Sequence, residues 1–346
     1  MLTGGGTGGH AYPAIAIAEA LRSAVGNESE CELLYLGSKN SLEERLAHVA
    51  GIPFACVSSR KLSRRFSPQA GLVGVTLVRG LVEAMSLLRR FQPDIVIGTG
   101  GYVTAAVALA QAARRGYLLI HEQNVIPGRT NLWLSKFATR VCLTFDDSMR
   151  YFPAHKCVVT GLPIRSDLVR LPRKEVSRNS LGLSVDLFTI LVLGGSQGAQ
   201  ALNNVVAGSV TELSKLPVQI YHQVGERNFE EINARREHAH WSHYHVRAYI
   251  DDMALAYSAA DLVVGRSGAS TVAEITCAGL PAIFVPYPYA YADHQRYNAE
   301  FVARRGGALV VLETEFTSEK LITLVQELLA SPERLVGMGE ASRSLG

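Results

Sequence analysis

Two glycine-rich turns constrain the fold more than any other feature of the 346-residue sequence. The first, residues 4–9 (GGGTGG), follows the short apolar start of the chain, and the second, residues 194–199 (GGSQGA), follows the apolar run 187–193. Turns of this kind join a buried strand to a helix in doubly wound α/β domains. The repeat therefore predicts two such domains, and the length of the chain suffices for two cores.

Composition narrows the class of protein. Hydrophobic residues make up 48% and charged residues 19%, which is typical of a globular chain, and a net charge of +3 gives no reason to expect a nucleic-acid partner. The five cysteines have no CxxC spacing, which fits thiols in a reducing cytoplasm. No apolar run reaches the ~20 residues of a membrane span. We expect a protein that is soluble or rests on a membrane without crossing it.

The stretch 261–299 predicts a nucleotide-sugar site. An apolar strand at 261–264 breaks into Gly-Arg-Ser-Gly, and a helix that carries Glu274 follows. Small residues at such a junction let the backbone approach a ligand, and the first amides of the helix face an anion such as a diphosphate. The carboxylate of Glu274 suits ribose hydroxyls. The polar loop 293–295 (DHQ) offers side chains for sugar hydroxyls.

The first glycine turn presents Thr7 and His10 at its rim, ahead of a helix that we expect from about Pro13. A dinucleotide site would need an acid after the strand at 32–36, where the sequence has Gly-Ser-Lys, so NAD is disfavoured. We interpret the density of glycine as backbone that approaches a ligand. A plain strand-to-helix turn is the open alternative.

Two further segments of the first half carry functional hypotheses. Four polar residues, 121–124 (HEQN), follow the predicted strand 117–120, where parallel sheets form their ligand crevice, so we expect a role for Glu122 or Asn124. A basic loop precedes a helix with apolar residues at 77, 81, 85 and 88. This loop suits an anionic bilayer, or is an ordinary solvated loop beside a core helix. Its candidate membrane contacts are Arg64, Arg65 and Phe66.

Three other patterns are weaker. The histidines of 238–245 (HAHWSHYH) predict a solvated loop rather than a metal site, because their segment lies between elements. The pairs at 146–147 and 251–252 predict helix caps, so we expect no metal held by protein ligands. Residues 194–198 match the G-x-S-x-G pattern of a hydrolase, but that interpretation leaves the first glycine turn unexplained.

Taken together, the motifs resemble the MurG family of N-acetylglucosaminyltransferases of bacterial peptidoglycan synthesis. The resemblance extends in order along almost the whole chain. It is carried by TGGGTGGHAYPA (3–14), GTGGYV (98–103), HEQNVIPGRTN (121–131), GLPIR (161–165), GGSQGA (194–199), YIDDM (249–253), RSGASTVAE (266–274) and DHQRYNA (293–299).

The resemblance implies an α/β GT-B glycosyltransferase fold, in which two Rossmann-like doubly wound domains face each other across a cleft. Residues 1–160 would form an acceptor-binding, membrane-associating domain and residues 161–184 an interdomain segment. Residues 185–332 would bind UDP-GlcNAc, and residues 333–346 would be a partial tail that returns toward the first domain. The family usually has a longer first strand and a longer final helix. Either the first strand of this sequence is very short, or the true start lies upstream.

The resemblance also implies roles for individual residues. The base would be His10, with Glu122 as second choice, because imidazole changes protonation near neutral pH. The acceptor side would include Gly100, Gly101 and Tyr102. The donor would contact Thr7, Gly8, Gly9, Asn124, Arg165, Ser196, Ile250, Ala269, Ser270, Thr271, Val272, Ala273, Glu274 and Gln295, with the backbone of Ile250 at the uracil and Glu274 at the ribose.

The implied reaction is an inverting transfer of N-acetylglucosamine from UDP-GlcNAc to the 4-hydroxyl of undecaprenyl-pyrophosphoryl-MurNAc-pentapeptide. No cofactor would be tightly bound, and a free divalent cation is an optional aid. The enzyme would lie peripherally on the cytoplasmic face of the bacterial inner membrane, with anionic lipid and proteins of cell-wall synthesis and division as partners. The alternatives are a related GT-B enzyme with a diacylglycerol acceptor, and a nucleotide-sugar-binding scaffold without catalysis.

Overall fold

A computed structural model describes residues 1–25, 31–59, 69–195 and 198–346. The chain divides into two compact units, Met1–Ile164 and Arg165–Gly346. The first unit ends four residues beyond the predicted boundary at residue 160. The predicted interdomain residues from 165 to 184 belong to the second unit.

The first unit alternates strands and helices, as the two-turn pattern predicts. Its strands are β1 (Leu2–Thr3), β2 (Tyr35–Gly37), β3 (Phe54–Cys56), β4 (Ile95–Gly98), β5 (Tyr117–Glu122), β6 (Arg140–Leu143) and β7 (Cys157–Val159). Its helices are α1 (Gly8–Val25), α2 (Leu42–Val49), α3 (Gln69–Phe91), α4 (Tyr102–Ala113) and α5 (Arg129–Leu134). The strands pair in parallel in the order β3-β2-β1-β4-β5-β6-β7.

The second unit repeats this plan. Its strands are β8 (Phe188–Leu193), β9 (Val218–Gln223), β10 (Tyr244–Arg247), β11 (Leu262–Gly265), β12 (Ala282–Phe284) and β13 (Ala308–Val310). Its helices are α6 (Lys174–Leu181), α7 (Gln200–Leu213), α8 (Phe229–Ala239), α9 (Met253–Ala259), α10 (Ala269–Ala278), α11 (His294–Ala303), α12 (Ser318–Leu329) and α13 (Pro332–Arg343). The parallel order is β10-β9-β8-β11-β12-β13.

The strand orders place the two glycine turns at corresponding positions. In each unit the chain winds outward from one central strand and then resumes on that strand's other side, beside β1 in the first unit and β8 in the second. Crossover helices leave a crevice outside the carboxyl ends of the strands where the winding reverses. Both glycine turns therefore lie at the place where open α/β sheets bind their ligands.

The predicted interdomain segment is fixed to the second unit by a buried cation. Arg178 of α6 is 6% exposed, and it donates hydrogen bonds to the carbonyls of Ala259 (3.0 Å) and Val185 (2.7 Å). Its guanidinium also pairs with Asp261 at 2.5 Å, and Lys174 pairs with the same carboxylate at 2.6 Å. A buried arginine needs such partners to offset its desolvation. This requirement explains why α6 packs against α9 of the second unit.

The predicted carboxyl-terminal tail also belongs to the second unit. It forms α13, which packs against α10 and α12. Met338 is 5% exposed within the core of this unit, and Arg343 donates a hydrogen bond to the carbonyl of Ala278 at 3.0 Å. The segment is therefore an integral helix of its own unit.

The core of the second unit contains a neutral histidine. His222 lies on β9 at 0% exposure, with its ring nitrogens 3.0 Å from the Tyr244 hydroxyl and 3.0 Å from Asn203 Oδ1. Burial lowers the pKa of His222 to about 3, because the charged ring would lose its hydration. His222 therefore couples the stability of the second unit to pH.

We expect acid to destabilise the second unit through His222. The unfolded side chain binds a proton near its ordinary pKa of 6.5 and the folded one only near 3, so stability is full above pH 6.5 and falls as the pH drops toward 3. The loss approaches about 1.4 kcal/mol per pH unit. Denaturant unfolding measured between pH 7 and pH 4 should show a smaller pH dependence for His222→Gln. An identical pH dependence in both proteins would contradict the assignment.

Candidate active site

The first glycine turn packs tightly against the turn that follows β4. A Cβ added at Gly4 would lie 1.8 Å from Thr99 Oγ1, and one added at Gly5 would lie 2.3 Å from a Glu43 oxygen. A Cβ at Gly6, where φ is +86°, would lie 2.8 Å from the Tyr102 ring. Gly4 and Gly6 are therefore required by packing within the protein, whereas a side chain at Gly5 would displace the Glu43 carboxylate. The expectation that the whole turn is shaped by a ligand is too broad.

Of the two remaining glycines of the turn, Gly8 lies close to Tyr12, where a Cβ would approach the ring within 3.2 Å, whereas Gly9 has space around it. A Cβ at Gly9 would meet nothing closer than 3.8 Å, and Gly9 and Thr7 are both exposed. The helix α1 begins at Gly8, five residues before the predicted start at Pro13. Pro13 lies inside the helix and has no amide hydrogen to donate to the Gly9 carbonyl. The first turn of α1 thus offers accessible backbone to a ligand.

His10 lies in this first helical turn and is half-buried. Its Nδ1 is 2.9 Å from the carbonyl of Thr99 and 3.2 Å from Oε1 of Gln123. The ring also lies against Gly100, where a Cβ would approach within 2.9 Å. His10 is therefore held at the carboxyl ends of β1, β4 and β5, as expected for a residue of the crevice.

The strand β5 extends two residues beyond its predicted end and includes His121 and Glu122. The ring of His121 is 3% exposed, with Nε2 at 2.9 Å from the Gly161 carbonyl. Burial lowers the pKa of His121 to about 4. His121 is thus a neutral, structural member of the HEQN segment.

The carboxylate of Glu122 is 1% exposed and organises the loop that follows it. Its Oε1 accepts from the Asn124 amide at 3.0 Å, and its Oε2 accepts from the amide of Gly128 at 3.1 Å and from Nδ2 of Asn131 at 2.9 Å. A buried carboxylate with both oxygens engaged is poorly placed to take a proton from a substrate. The geometry favours a structural role for Glu122 over that of a base. Asn124, placed beside it, is half-buried.

The predicted acceptor-side residues open α4. Gly100 and Gly101 have φ of +104° and +89°, a conformation that favours glycine. A Cβ at Gly101 would lie 2.1 Å from the Gly5 carbonyl, and the Gly5 amide donates to the Gly100 carbonyl at 3.2 Å. Tyr102 is half-buried beside Gly6. The turns after β1 and β4 thus form one interlocked surface.

In the second unit, α10 begins with features that suit an anion. Its N-cap is Gly268, which supplies no side-chain cap, and Ala269, Ser270 and Thr271 form the first turn. The hydroxyl of Ser270 is buried and has no hydrogen-bond partner among the described residues. Helix amides and a hydroxyl at this position suit a diphosphate.

Two predicted donor contacts on α10 are placed less favourably, and a third lies elsewhere. Val272 is 1% exposed in the core, and its amide donates to the Gly268 carbonyl at 2.9 Å. Ala273 is half-buried in the second turn. Ser196, in the second glycine turn, lies outside the described residues.

Glu274 is held by a tyrosine that the sequence pattern did not indicate. The Tyr257 hydroxyl, on α9 and 1% exposed, donates to Glu274 Oε2 at 2.8 Å. Burial raises the pKa of Glu274, while the Tyr257 hydrogen bond and the charge of Arg165 act in the opposite direction. Arg165 lies 3.8 Å from Asp167 and remains partly exposed. The three predicted features of a nucleotide site, namely an anion site, a carboxylate and a cation, thus occur within one unit.

Ile250 lies in the loop after β10, three residues beyond the observed end of that strand. It is 3% exposed, and its amide donates to Oε1 of Gln223 at 3.2 Å. Nε2 of the same glutamine donates to the carbonyl of Gly195 at 3.2 Å. Gln223 therefore ties the loop of Ile250 to the second glycine turn.

Gln295 opens α11, where its carbonyl accepts from the Ser267 hydroxyl at 2.8 Å. Its Oε1 accepts from the Tyr287 amide at 3.0 Å, so its Nε2 is the end suited to a sugar hydroxyl. Arg266 also lies in this region, but its guanidinium donates to the carbonyls of Val285 and Pro286 and pairs with Glu313. Its charge is therefore used within the protein.

The structure revises one weaker pattern and supports another. His238 lies in the last turn of α8 and His245 lies on β10, so the histidine run is not a single loop. Asp252 caps α9 by accepting from the Leu255 amide at 2.9 Å. The same prediction is wrong for residues 146–147, because Asp146 and Asp147 lie inside a short 3-10 helix whose N-cap is Phe145 and which has no side-chain cap. Among the described residues, no group of three or more His, Cys, Asp and Glu side chains is arranged to hold a metal. The absence of a protein-bound metal therefore stays a prediction.

The residues predicted to contact the membrane, Arg64, Arg65 and Phe66, lie outside the described residues.

Comparisons with known proteins agree with this description. The family model "Glycosyltransferase family 28 N-terminal domain" matches residues 1–143, and the corresponding C-terminal domain model matches residues 189–345. A curated relative from Desulforudis audaxviator is 39% identical and one from Desulforamulus reducens is 40% identical, each covering 100% of this chain and 94% of the relative. Both are named UDP-N-acetylglucosamine–N-acetylmuramyl-(pentapeptide) pyrophosphoryl-undecaprenol N-acetylglucosamine transferase.

Solved structures support the same grouping. The crystal structure of Acinetobacter baumannii MurG aligns with a TM-score of 0.79 at 31% identity, over 99% of this chain and 94% of that one. A UDP-GlcNAc 2-epimerase from Neisseria meningitidis aligns with a TM-score of 0.68 at 14% identity, which shows a shared fold alone. The fold class is α/β with two Rossmann-like parallel-sheet domains of the GT-B glycosyltransferase type. The chain belongs to the MurG family within glycosyltransferase family 28.

Proposed function

We propose that the protein transfers N-acetylglucosamine from UDP-GlcNAc to undecaprenyl-pyrophosphoryl-MurNAc-pentapeptide. The observation that carries this proposal is the match over the entire chain, at 39–40% identity, to relatives named for that reaction. The sites described above support it, because a nucleotide-type site lies in the second unit and a separate polar crevice lies in the first. Such an enzyme makes the disaccharide lipid precursor of peptidoglycan.

The second unit would bind the donor. The amides that open α10 and the Ser270 hydroxyl would face the diphosphate, and Arg165 would add positive charge as UDP leaves. Glu274, held by Tyr257, would accept from the ribose hydroxyls. Nε2 of Gln295 would donate to a hydroxyl of the sugar.

The first unit would bind the acceptor and supply the base. In one displacement, the 4-hydroxyl oxygen of the muramoyl sugar forms a bond to the anomeric carbon as the bond from that carbon to the UDP oxygen breaks. The configuration therefore inverts. The hydroxyl proton passes to His10, whose ring lies beside the interlocked glycine turns. His10 is a better candidate for the base than Glu122, because His10 lies in the partly exposed first turn of α1 whereas the Glu122 carboxylate is buried.

Acceptor-dependent release of UDP tests the reaction. Purified protein should release UDP from UDP-GlcNAc only when a soluble analogue of the lipid-linked muramoyl pentapeptide is present, and UDP-glucose should not replace the donor. A coupled assay for UDP measures this directly. Binding of UDP without any release would contradict the proposed transfer and favour a nucleotide-sugar-binding protein.

Glu274→Ala should weaken UDP binding by about tenfold to a hundredfold, the effect of losing hydrogen bonds to a charged group. Calorimetric titration with UDP gives the affinity. Glu319→Ala is the matched control, because Glu319 lies exposed in the first turn of α12. Equal affinities in the two variants would remove Glu274 from the donor site.

We also propose that the enzyme docks peripherally on the cytoplasmic face of the membrane through α3. Gly80, Ala84 and Leu88 of this helix face the core, whereas Val75, Val78 and Val82 are 62–69% exposed. These valines are spaced at three and four residues and thus lie on one stripe. Arg79, Arg89 and Arg90 on the same helix are exposed cations that suit anionic lipid. Within the described residues, no helix is long and apolar enough to span a bilayer.

Replacing Val75, Val78 and Val82 together with serine should reduce binding to phosphatidylglycerol vesicles by about tenfold, because the apolar stripe no longer enters the interface. Vesicle co-sedimentation measures the binding. The control carries Val49→Ser and Val336→Ser, which are exposed valines (88% and 61%) elsewhere on the chain. If both proteins bind as the wild type does, α3 is not the docking element.

A further inference from the structure

Gln123 uses both ends of its side-chain amide within the crevice of the first unit. It is 1% exposed at the end of β5. Its Nε2 donates to the carbonyls of Thr99 (2.6 Å) and His121 (3.1 Å) and lies 3.4 Å from His121 Nδ1. Because two carbonyl oxygens fix the nitrogen end, the oxygen end faces His10, where Oε1 lies 3.2 Å from Nδ1.

The surroundings of His10 Nδ1 select one tautomer of the ring. Both neighbours of this nitrogen, the Thr99 carbonyl and Gln123 Oε1, can only accept a hydrogen bond. The contacts are therefore favourable only when Nδ1 carries the hydrogen. In a neutral imidazole of that form the lone pair lies on Nε2.

We propose that Gln123 is a positioning residue for the transfer reaction, which it serves by holding His10 in the tautomer whose Nε2 can accept a proton. This inference rests on the proposed function, in which His10 is the base. The proton of the attacking hydroxyl passes to Nε2 as the glycosidic bond forms and UDP leaves. The imidazolium then returns its proton to solvent, and Gln123 changes neither charge nor protonation.

The test compares Gln123→Met with the same substitution at Gln111. Gln123→Met keeps the length of the side chain and removes both polar ends. Gln111→Met is the matched control. Gln111 is also 1% exposed and lies in the same unit on α4, but its amide donates to the Tyr117 carbonyl, at the opposite end of β5 from the crevice.

We expect Gln123→Met to lower kcat by about tenfold, part of the 10²–10⁴-fold contribution of a general base, since Thr99 still accepts from the ring. KM for UDP-GlcNAc should not change. Gln111→Met should leave both values unaltered. A kcat for Gln123→Met equal to that of wild type or of Gln111→Met would overturn the inference.

A spectroscopic measurement decides the matter even if Gln123→Met fails to fold. The ¹⁵N resonances of histidine-labelled wild-type protein, with His10 assigned by its absence in His10→Gln, report which ring nitrogen carries the hydrogen. Hydrogen on Nε2 would overturn the role of Gln123. The proposed base is judged separately, because a His10→Ala variant that retains more than about a tenth of wild-type kcat would remove His10 as base whatever the tautomer.

Discussion

Parallel pairing of β1 with β4, and of β8 with β11, is the constraint on which both candidate sites depend. These are the pairs at which each sheet reverses its winding, so their carboxyl ends are left open by the crossover helices. In the first unit that opening contains the start of α1 with His10. In the second unit it contains the start of α10 and, one turn further, Glu274. The placement follows from backbone hydrogen bonding, before any side chain of the sites is considered.

Much of this arrangement could be predicted from the sequence because its signals are local. Continuous apolar runs marked the central strands, glycines marked the turns at their ends, and the helix that carries Glu274 followed directly. The ends of elements were less predictable. β5 continues through His121 and Glu122 because partners distant in sequence, such as Gly161 and Asn131, satisfy their polar groups. A run of polar residues in the sequence does not indicate which distant residues will form hydrogen bonds with it.

Sequence patterns missed the residues whose role is to hold a predicted site residue in place through a hydrogen bond. Tyr257 reaches Glu274 from another helix, and Gln223 connects Gly195 with the amide of Ile250. Gln123 contacts His10 across more than a hundred residues of sequence. The HEQN segment placed Gln123 among polar residues at the end of a strand, which indicated part of its role but not its contact with His10. The glycine turn is a related case, since local sequence does not distinguish Gly6, which has a positive φ and lies against the Tyr102 ring, from the open Gly9.

The buried arginine of α6 has a consequence for how the two halves can be recombined. Arg178 and Lys174 precede β8 in the chain, yet they neutralise Asp261 at the start of β11. A chimera joined at the first residue of the second sheet would take its α6 from one parent and its Asp261 from the other. The carboxylate would then rely on a foreign helix for its counter-charge. Exchange of second units between relatives is therefore expected to succeed at a junction near Arg165, because Lys174, Arg178 and Asp261 then come from the same parent.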